Sequence, residues 1–310
     1  MFELKGKRIF VAGHKGMVGS SMARQLAEAG AIVITADRSE LDLINQASVD
    51  YWMADQTPEI VVVAAAKVGG ILANDLHPVS FLYDNIMIQT NLLKAAHATG
   101  VDRLLLLGSS CIYPKFAPQP ITEDALLTGA LEPTNQWYAM AKISGIMLGQ
   151  AYRREFGRHY ISAMPTNLYG PGDNFDLQSS HVLPALIRKA HEAKVSGAES
   201  IEVWGTGKVR REFLHVDDCA GALVHLLRNY DEDQHINVGS GSDVTILELV
   251  QIVCDVVGFT GAITFDTTKP DGTPRKLMAA DKLGALGWSP TIELREGIER
   301  TYAWFCESIR

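Results

Sequence analysis

Short apolar runs alternate with longer amphipathic segments along the first half of the chain. Five of these runs, rich in apolar and β-branched residues, predict β-strands at 8–12, 31–36, 59–65, 103–107 and 160–164. The longer stretches between several of them predict helices. Because strand and helix alternate, the pattern predicts an α/β fold with a doubly wound parallel sheet that helices cover on both faces. Ligands of such sheets bind at the carboxyl ends of the strands.

A glycine-rich turn follows the first predicted strand. Residues 8–19 read Arg-Ile-Phe-Val-Ala-Gly-His-Lys-Gly-Met-Val-Gly, which places Gly13, Gly16 and Gly19 between a strand and the start of a helix. The spacing is G-x-x-G-x-x-G rather than G-x-G-x-x-G. Glycines at these positions let the backbone approach a pyrophosphate, whose charge the helix N-terminus attracts. The turn therefore predicts a Rossmann-type dinucleotide site.

A tyrosine and a lysine stand four residues apart in the segment 138–142. Tyr138 and Lys142 share one face of a helix, so we expect the ammonium to lie near the phenol and lower its pKa. Ser109 follows the strand at 103–107 and supplies a second hydrogen-bond donor. A glycine turn, a serine after a strand and then this pair, in that order, predict proton transfer at a carbonyl or alcohol oxygen coupled to hydride transfer.

Beyond about residue 170 the alternation becomes less regular, beginning with the loop sequence Gly-Pro-Gly-Asp-Asn at 170–174. The sequence contains no linker, low-complexity tract or internal repeat. We expect residues 1–170 to form the dinucleotide-binding Rossmann domain, joined by some later segments. Residues 171–310 are expected to form mainly a smaller C-terminal lobe that binds the substrate.

Composition agrees with an enzyme that binds small molecules. The 310 residues carry a net charge of −8 and no block of Lys or Arg, so we expect no nucleic-acid partner. No apolar run approaches membrane-spanning length, and charges at 3–7 interrupt the segment where a signal peptide needs an apolar core. The four cysteines are widely separated and form no Cys/His cluster, which predicts neither a metal site nor a disulfide framework. We expect a cytoplasmic protein with no membrane partner.

Five longer motifs occur in a fixed order along the chain. They read Gly-Ser-Ser-Cys-Ile-Tyr-Pro at 108–114, Glu-Pro-Thr-Asn at 132–135, Tyr-Ala-Met-Ala-Lys at 138–142, Met-Pro-Thr-Asn-Leu-Tyr-Gly-Pro at 164–171 and Arg-Glu-Phe-Leu-His-Val-Asp-Asp at 211–218. Together with the glycine turn, they resemble the extended short-chain dehydrogenase/reductase family over essentially the whole chain. The resemblance implies NADPH (NADP) as the cofactor, a GDP-sugar substrate and a homodimer.

Within this family the motifs resemble bifunctional epimerase/reductases. The resemblance implies conversion of GDP-4-keto-6-deoxy-D-mannose to GDP-L-fucose, by epimerisation at C3 and C5 through enolates and then NADPH-dependent reduction of the C4 ketone. It gives Cys111 the role of the base and His181 that of the acid on the opposite face of the sugar. Tyr138, with Ser109, donates to the carbonyl oxygen, while Lys142 keeps the phenol acidic and holds the nicotinamide ribose.

The same resemblance implies the binding residues. Those of the cofactor site are Gly13, Lys15, Gly16, Met17, Val18, Gly19, Arg38, Asp42, Leu43, Tyr138, Lys142, Pro165, Asn167, Leu168 and His181. Those of the substrate site are Asn167, Lys189, Trp204, Arg211, Asp271 and Lys276. The planar guanidinium of Arg211 suits a diphosphate, and we expect the late loop that carries Asp271 and Lys276 to close over guanosine.

The choice between NADP and NAD depends on three residues around the glycine turn. Lys15 in the turn and Arg38 after the second strand favour a 2′-phosphate, whereas Asp37 could instead bind the ribose hydroxyls of NAD. We expect NADP.

Other interpretations stay open. Cys111 also fits a small buried side chain and His181 the start of a helix, while Arg211 could pair with an aspartate at 217–218 and Trp204 could be a core aromatic. The chain could also be another nucleotide-sugar 4-epimerase or 4-reductase of the same family, or a dinucleotide-binding sensor. Cys111 discriminates best among the enzymes, because 4-epimerases and 4,6-dehydratases of this fold characteristically carry other residues at its position.

Overall fold

The computed structural model describes residues 1–177, 179–269 and 271–309. Its strands are β1 (Arg8–Ala12), β2 (Ile32–Ile34), β3 (Ile60–Val63), β4 (Arg103–Leu107), β5 (His159–Pro165), β6 (Asn167–Tyr169), β7 (Ser200–Trp204), β8 (Arg210–His215), β9 (Ile236–Val238), β10 (Asp243–Thr245), β11 (Ala262–Asp266) and β12 (Arg275–Lys276). Six of them form the central sheet in the order β2-β1-β3-β4-β5-β9, and every pairing in it is parallel.

Helices connect these strands. They are α1 (Met17–Glu28), α2 (Gln46–Gln56), α3 (Ile71–Leu76), α4 (Pro78–Ala98), α5 (Gln136–Phe156), α6 (Val182–Ser196), α7 (Val216–Asn229), α8 (Ile246–Val257), α9 (Asp281–Ala285) and α10 (Leu294–Ser308), with short 3-10 turns at Ser110–Ile112 and Glu123–Ala125. None of the helices in the described part of the chain is long and apolar enough to cross a membrane.

The doubly wound fold class expected from the sequence is confirmed. The strands predicted at 8–12 and 103–107 match β1 and β4, and those predicted at 59–65 and 160–164 differ from β3 and β5 by one or two residues. The strand predicted at 31–36 is shorter, because β2 lies at the edge of the sheet and pairs with β1 through Ile32–Ile34. The domain boundary near residue 170 stays a prediction.

Side chains of the central strands alternate between two cores. Phe10, like Val61 and Leu104, faces the core formed with α2, α4 and α5. The next residue along each strand, as in Val11 and Leu105, faces the core formed with α1 and α7. This period of two is the geometry of a strand buried on both faces. Since both faces are covered, the groups that can reach a ligand lie on the loops at the strand ends.

A third core lies in the later part of the chain. Apolar faces of α6, α8 and α10 pack together there, around residues such as Ile187, Val253 and Phe305. Beside them, β8 pairs with β6, β10 and β12, while β7 pairs with β11. This lobe therefore has a core of its own beside the central sheet.

A buried carboxylate joins the strands of this small sheet. Glu212 on β8 is 0% exposed and accepts hydrogen bonds from the backbone N–H of Met278 at 3.0 Å, the backbone N–H of Gly241 at 2.9 Å and the hydroxyl of Ser240 at 3.3 Å. Burial raises the pKa of Glu212, and these donors partly offset that shift. The carboxylate thus fixes the loop after β9 and the segment after β12 to the same strand.

Glu212→Ala should lower the free energy of unfolding by roughly 2–4 kcal/mol, because it leaves buried donors unsatisfied. Denaturant titration of the purified protein measures this loss. The matched control is Glu299→Ala, an exposed glutamate on α10, which should change stability by less than about 0.5 kcal/mol. Equal stability of the two variants would contradict a structural role for the Glu212 carboxylate.

Candidate active site

Ser109 and Cys111 lie at the carboxyl end of β4. The backbone of Gly108 packs against Met164, so a Cβ atom there would collide with the thioether. The chain then turns through the 3-10 helix Ser110–Ile112, and the hydroxyl of Ser109 accepts a hydrogen bond from the backbone N–H of Cys111 at 3.3 Å. This turn brings the hydroxyl and the thiol to the same strand end.

Tyr138 and Lys142 occupy successive turns of α5, as the spacing predicts. The Lys142 ammonium is buried, donates to the carbonyl of Leu107 at 2.7 Å and lies 5.8 Å from the centroid of the Tyr138 ring. Burial lowers the pKa of Lys142 to about 8. The side chain therefore links the end of β4 to the first turns of α5.

The expected lowering of the Tyr138 pKa is wrong in this structure. Burial raises the pKa of Tyr138, charge on Cys111 raises it further, and a hydrogen bond with Ser109 opposes the rise. Lys142 does not reverse the shift, since its ammonium is directed at the Leu107 carbonyl. The phenol is consequently protonated at neutral pH, which is the form that a proton donor needs.

The thiol of Cys111 is partly exposed and has two polar neighbours from distant parts of the chain. The side-chain amide of Asn135 donates to Sγ at 3.4 Å, and the ammonium of Lys276 lies 3.8 Å from Sγ. The alternative that Cys111 is a small buried side chain does not agree with this exposure. Its partial exposure and its polar contacts favour a chemical role.

His181 is the residue before α6, so the alternative that it begins a helix agrees with the structure. Its ring is open to solvent, yet protein surrounds it closely enough that desolvation lowers its pKa, with a further lowering from the charge of Lys276. His181 is therefore within electrostatic range of Lys276. Lys276 is thus near both groups proposed for proton transfer at carbon.

The glycine turn has the shape that a dinucleotide needs. Gly13 has φ +89°, and a Cβ atom there would lie 2.6 Å from the backbone nitrogen of Ala65. Gly16 precedes α1 and offers no side-chain cap, while Gly19 packs on the carbonyl of Gly13. The first N–H groups of α1, including those of Met17 and Val18, are directed out of the helix end, where an anion binds favourably. These residues fit a pyrophosphate.

The charges beside the turn pair with each other. The carboxylate of Asp37 lies 2.8 Å from the Lys15 ammonium and 3.3 Å from Nε2 of His14, and the contact with Lys15 is the main cause that lowers the pKa of Asp37. Arg38 is exposed next to them. The cations that favour a 2′-phosphate and the carboxylate that favours the ribose hydroxyls are therefore both present beside the turn. In this structure the carboxylate of Asp37 forms an ion pair with Lys15.

The remaining residues expected at the cofactor site lie on the same edge of the sheet. Asp42 and Leu43 are in the loop between β2 and α2, where the Asn91 side chain donates to the carbonyl of Leu43 at 3.0 Å. Pro165 ends β5, and Asn167 and Leu168 follow in β6. The Asn167 amide donates to the carbonyl of Glu212 at 2.8 Å, which fixes its orientation.

A second polar cluster lies in the later lobe around Trp204. This indole is 57% exposed at the end of β7, which excludes the alternative of a core aromatic. The ammonium groups of Lys189 and Lys269 lie 5.6 and 5.4 Å from the centroid of its ring. An exposed aromatic face flanked by cations can stack on a base and attract its phosphates.

Arg211 and Asp271 belong to this second cluster. The guanidinium of Arg211 donates to the carbonyl of Asp271 at 3.5 Å, and the Asp271 carboxylate accepts from the backbone N–H and hydroxyl of Thr206 at 2.7 and 2.9 Å. Burial lowers the pKa of Arg211. The alternative pairing of Arg211 with an aspartate at 217–218 is not seen among the described residues. Instead, the carboxylate of Asp217 contacts Ser21 and Arg24, and that of Asp218 accepts a hydrogen bond from Thr291.

Three residues of these clusters were missed by sequence reasoning. Asn135 stands three positions before Tyr138, so helix spacing could have placed it on the same side of the site. His14 lies inside the glycine turn, where its proximity to Asp37 depends on the neighbouring strand. Lys269 is brought to Trp204 by the pairing of β11 with β7, which the sequence does not indicate.

Metal binding was not expected. Within residues 1–177, 179–269 and 271–309, no group of three or more His, Cys, Asp or Glu side chains could hold a metal ion.

Comparison with known proteins relates this geometry to a family. Residues 9–239 match the NAD dependent epimerase/dehydratase family. A GDP-L-fucose synthase of Sinorhizobium fredii (strain NBRC 101917 / NGR234) is 56% identical over 309 residues, which cover 100% of this chain and 98% of that protein.

Solved structures agree with the sequence match. A GDP-6-OMe-4-keto-L-xylo-heptose reductase from C. jejuni superposes with a TM-score of 0.93 at 34% identity, covering 98% of both chains. A GDP-L-fucose synthetase from Naegleria fowleri bound to NADP superposes with a TM-score of 0.90 at 29% identity, covering 98% of this chain and 95% of that chain. The resemblance to extended short-chain dehydrogenase/reductases is confirmed. The chain belongs to the NAD dependent epimerase/dehydratase family, in which GDP-L-fucose synthases are similar to it along its whole length.

Proposed function

We propose that this protein converts GDP-4-keto-6-deoxy-D-mannose to GDP-L-fucose. The observation that carries the proposal is the partly exposed thiol of Cys111 beside the Tyr138, Ser109 and Lys142 set. Similarity to a GDP-L-fucose synthase at 56% identity over the whole chain supports it. A 4-epimerase or a 4-reductase alone is not favoured, because neither reaction needs a base and an acid at C3 and C5.

Epimerisation needs proton removal at a carbon beside the C4 ketone. The Cys111 thiolate takes the proton, the electron pair remains on the sugar as an enolate, and His181 returns a proton to the opposite face. Desolvation and Lys276 both favour the neutral His181 ring, so its protonated form depends on negative charge nearby. The thiolate and the enolate provide that charge. The Cys111 thiol then loses its proton to solvent and His181 takes one up from solvent, and the same step at the second carbon inverts that centre.

Reduction of C4 follows epimerisation and uses Tyr138 and Ser109, which lie beside Cys111. NADPH is the cofactor and, when bound, supplies the hydride. Tyr138 donates a proton to the developing alkoxide, and Ser109 holds the same oxygen by a hydrogen bond. The raised pKa of Tyr138 keeps that proton in place until the oxygen becomes basic. Lys142 fixes the helix that carries the phenol.

The second cluster suits the GDP part of the substrate. Trp204 presents an aromatic face for the base, and Arg211 and Lys189 provide cations for the diphosphate. Asn167, oriented by the Glu212 carbonyl, suits a hydroxyl of the sugar. The protein carries a net charge of −8, so these local cations rather than a basic surface hold the anion, and we expect no nucleic-acid partner.

We infer a cytoplasmic homodimer. All four cysteines are unpaired, which agrees with a reducing compartment. The helices α4 and α5 pack against each other, and large apolar side chains on both are exposed at helical spacing. These side chains are Val79, Tyr83, Trp137, Met140 and Met147. An exposed apolar face of two adjacent helices is typical of a surface that a second copy covers.

The two half-reactions should separate by mutation. Cys111→Ser replaces the thiol by a far weaker base and should abolish exchange of deuterium into C3 and C5. Tyr138→Phe should leave exchange largely intact while reduction falls by about 10²–10⁴-fold, as expected for loss of a general acid. Exchange is measured by NMR in heavy water with NADP⁺ present, so that reduction cannot proceed.

His181→Asn should reduce exchange and product formation together, because an enolate without its acid collapses back to the substrate. Wild-type exchange in Cys111→Ser, or complete loss of exchange in Tyr138→Phe, would contradict these assignments. Failure of the wild-type protein to form GDP-L-fucose would overturn the proposed function itself.

Cofactor preference should respond to the charges around the glycine turn. Arg38→Ala should lower the ratio of kcat/KM for NADPH to that for NADH by about ten- to a hundredfold, since a charge-assisted contact is worth roughly 1.5–3 kcal/mol. Asp37→Asn should raise the ratio, because it releases Lys15 for the 2′-phosphate. Arg295→Ala on α10 is the matched control. A wild-type preference for NADH would assign the ribose to Asp37 instead.

The proposed dimer surface should be sensitive to charge. The double variant Tyr83→Glu, Met147→Glu should shift the protein from dimer to monomer in light scattering, because a partner would have to bury the new carboxylates unpaired. Val195→Glu, a substitution at an exposed apolar residue of α6, is the control and should leave the mass unchanged. A monomeric wild-type protein would refute the assignment of this surface.

A further inference from the structure

Lys276 holds a position that a guanosine contact does not explain. Its ammonium lies 3.8 Å from Sγ of Cys111, and among the described residues it forms no ion pair with a carboxylate. The charge is therefore not neutralised by a neighbouring acid. An ammonium at this distance favours the thiolate over the thiol, and the Asn135 amide adds a hydrogen bond to sulfur at 3.4 Å.

The backbone around Lys276 is fixed on both sides. The two-residue strand β12 pairs with β8, with Lys276 opposite Arg211. Directly after it, the backbone N–H of Leu277 donates to Gln119 Oε1 at 2.8 Å, and that of Met278 donates to Glu212 Oε2 at 3.0 Å. Because the backbone is anchored in this way, only the side-chain torsions of Lys276 need to be ordered for the ammonium to reach the sulfur.

We propose that Lys276 is a positioning residue for the base, which holds Cys111 as a thiolate before the substrate arrives, with Asn135 as a second donor to sulfur. This inference rests on the proposed function. In the step it serves, a C–H bond of the sugar breaks and an S–H bond forms, while the electron pair stays on the substrate as the enolate. Lys276 remains an ammonium throughout and transfers no proton.

The other groups around the sulfur do not replace Lys276. Tyr138 from α5 faces Cys111 as a neutral phenol, and Ser109 beside it is uncharged. His181 before α6 is held towards its neutral form by desolvation and by Lys276 itself. Lys142 is turned to the Leu107 carbonyl. Lys276 therefore supplies the positive charge that this thiolate needs.

Alkylation of Cys111 by iodoacetamide tests this directly and does not depend on the substrate. At neutral pH, Lys276→Met should slow alkylation of Cys111 by about tenfold or more, because the reactive species is the thiolate. Lys276→Arg keeps the charge and should retain most of the rate. In alkaline buffer the difference between wild type and Lys276→Met should disappear, since the thiol then ionises without help.

Two controls separate this effect from a general change in the fold. Cys306 on α10 is partly exposed and serves as an internal reference, because its alkylation in the same sample should be unaffected. Lys5→Met removes a surface lysine before β1 and should change neither rate. Mass spectrometry of the two cysteine peptides gives both rates from one digest.

The same variants should show the effect in the reaction. Lys276→Met should lower the rate constant for deuterium exchange at C3 and C5 by about tenfold or more at neutral pH, and alkaline buffer or the arginine variant should restore it. Binding of NADPH should be unchanged. A guanosine contact would instead raise KM for the GDP-sugar at every pH and leave alkylation untouched.

Equal alkylation rates in wild type and Lys276→Met at neutral pH would overturn the inference, even if the enzyme makes GDP-L-fucose. Conversely, a protein that fails to make GDP-L-fucose but loses alkylation in Lys276→Met would refute the proposed function and leave the thiolate contact standing. If Lys276→Met unfolds, the comparison of Lys276→Arg with Lys276→Gln tests the same point. Equal rates in those two variants would overturn it.

Discussion

The hydrogen bond from the buried Lys142 ammonium to the carbonyl of Leu107 holds the reaction centre together. It joins the last residue of β4 to α5, and so fixes the strand end that leads into Ser109 and Cys111 relative to the helix that carries Tyr138. A buried ammonium is costly unless it is paired, and here burial already lowers its pKa to about 8. The geometry of the proton-transfer groups therefore depends on one charge-assisted contact at the edge of the sheet.

Much of the fold could be predicted from the sequence because the strands are buried on both faces. In a strand such as β3, successive side chains face two different cores, so every position is apolar. A short, uninterrupted apolar run therefore indicates the strand in the sequence. The strand predicted at 31–36 was too long, because only Ile32–Ile34 of this edge segment pair with β1 and the sequence does not show where that pairing stops. β9, which adds to the sheet beside β5, is a run of three residues too short for periodicity to indicate.

The site was predictable where its residues are local in sequence and not where they are distant. Ser109, Tyr138 and Lys142 follow from strand ends and helix spacing. The contact of Lys276 with Cys111 spans 165 residues and depends on the pairing of β12 with β8, which no local pattern encodes. The direction of the Tyr138 pKa shift was missed for a related reason, because it depends on burial and on where the neighbouring ammonium is directed.

The register of β12 on β8 also fixes the position of Lys276 relative to Arg211. Lys276, next to the thiol, stands opposite Arg211, which contacts the loop of the second cluster, so one strand pairing links the Cys111 site to that cluster. A slip of β12 by a single residue would turn Lys276 to the other face of the sheet, away from the thiol. Backbone hydrogen bonds between two strands therefore fix the separation between the Lys276 contact with sulfur and the Arg211 contact with the Asp271 loop.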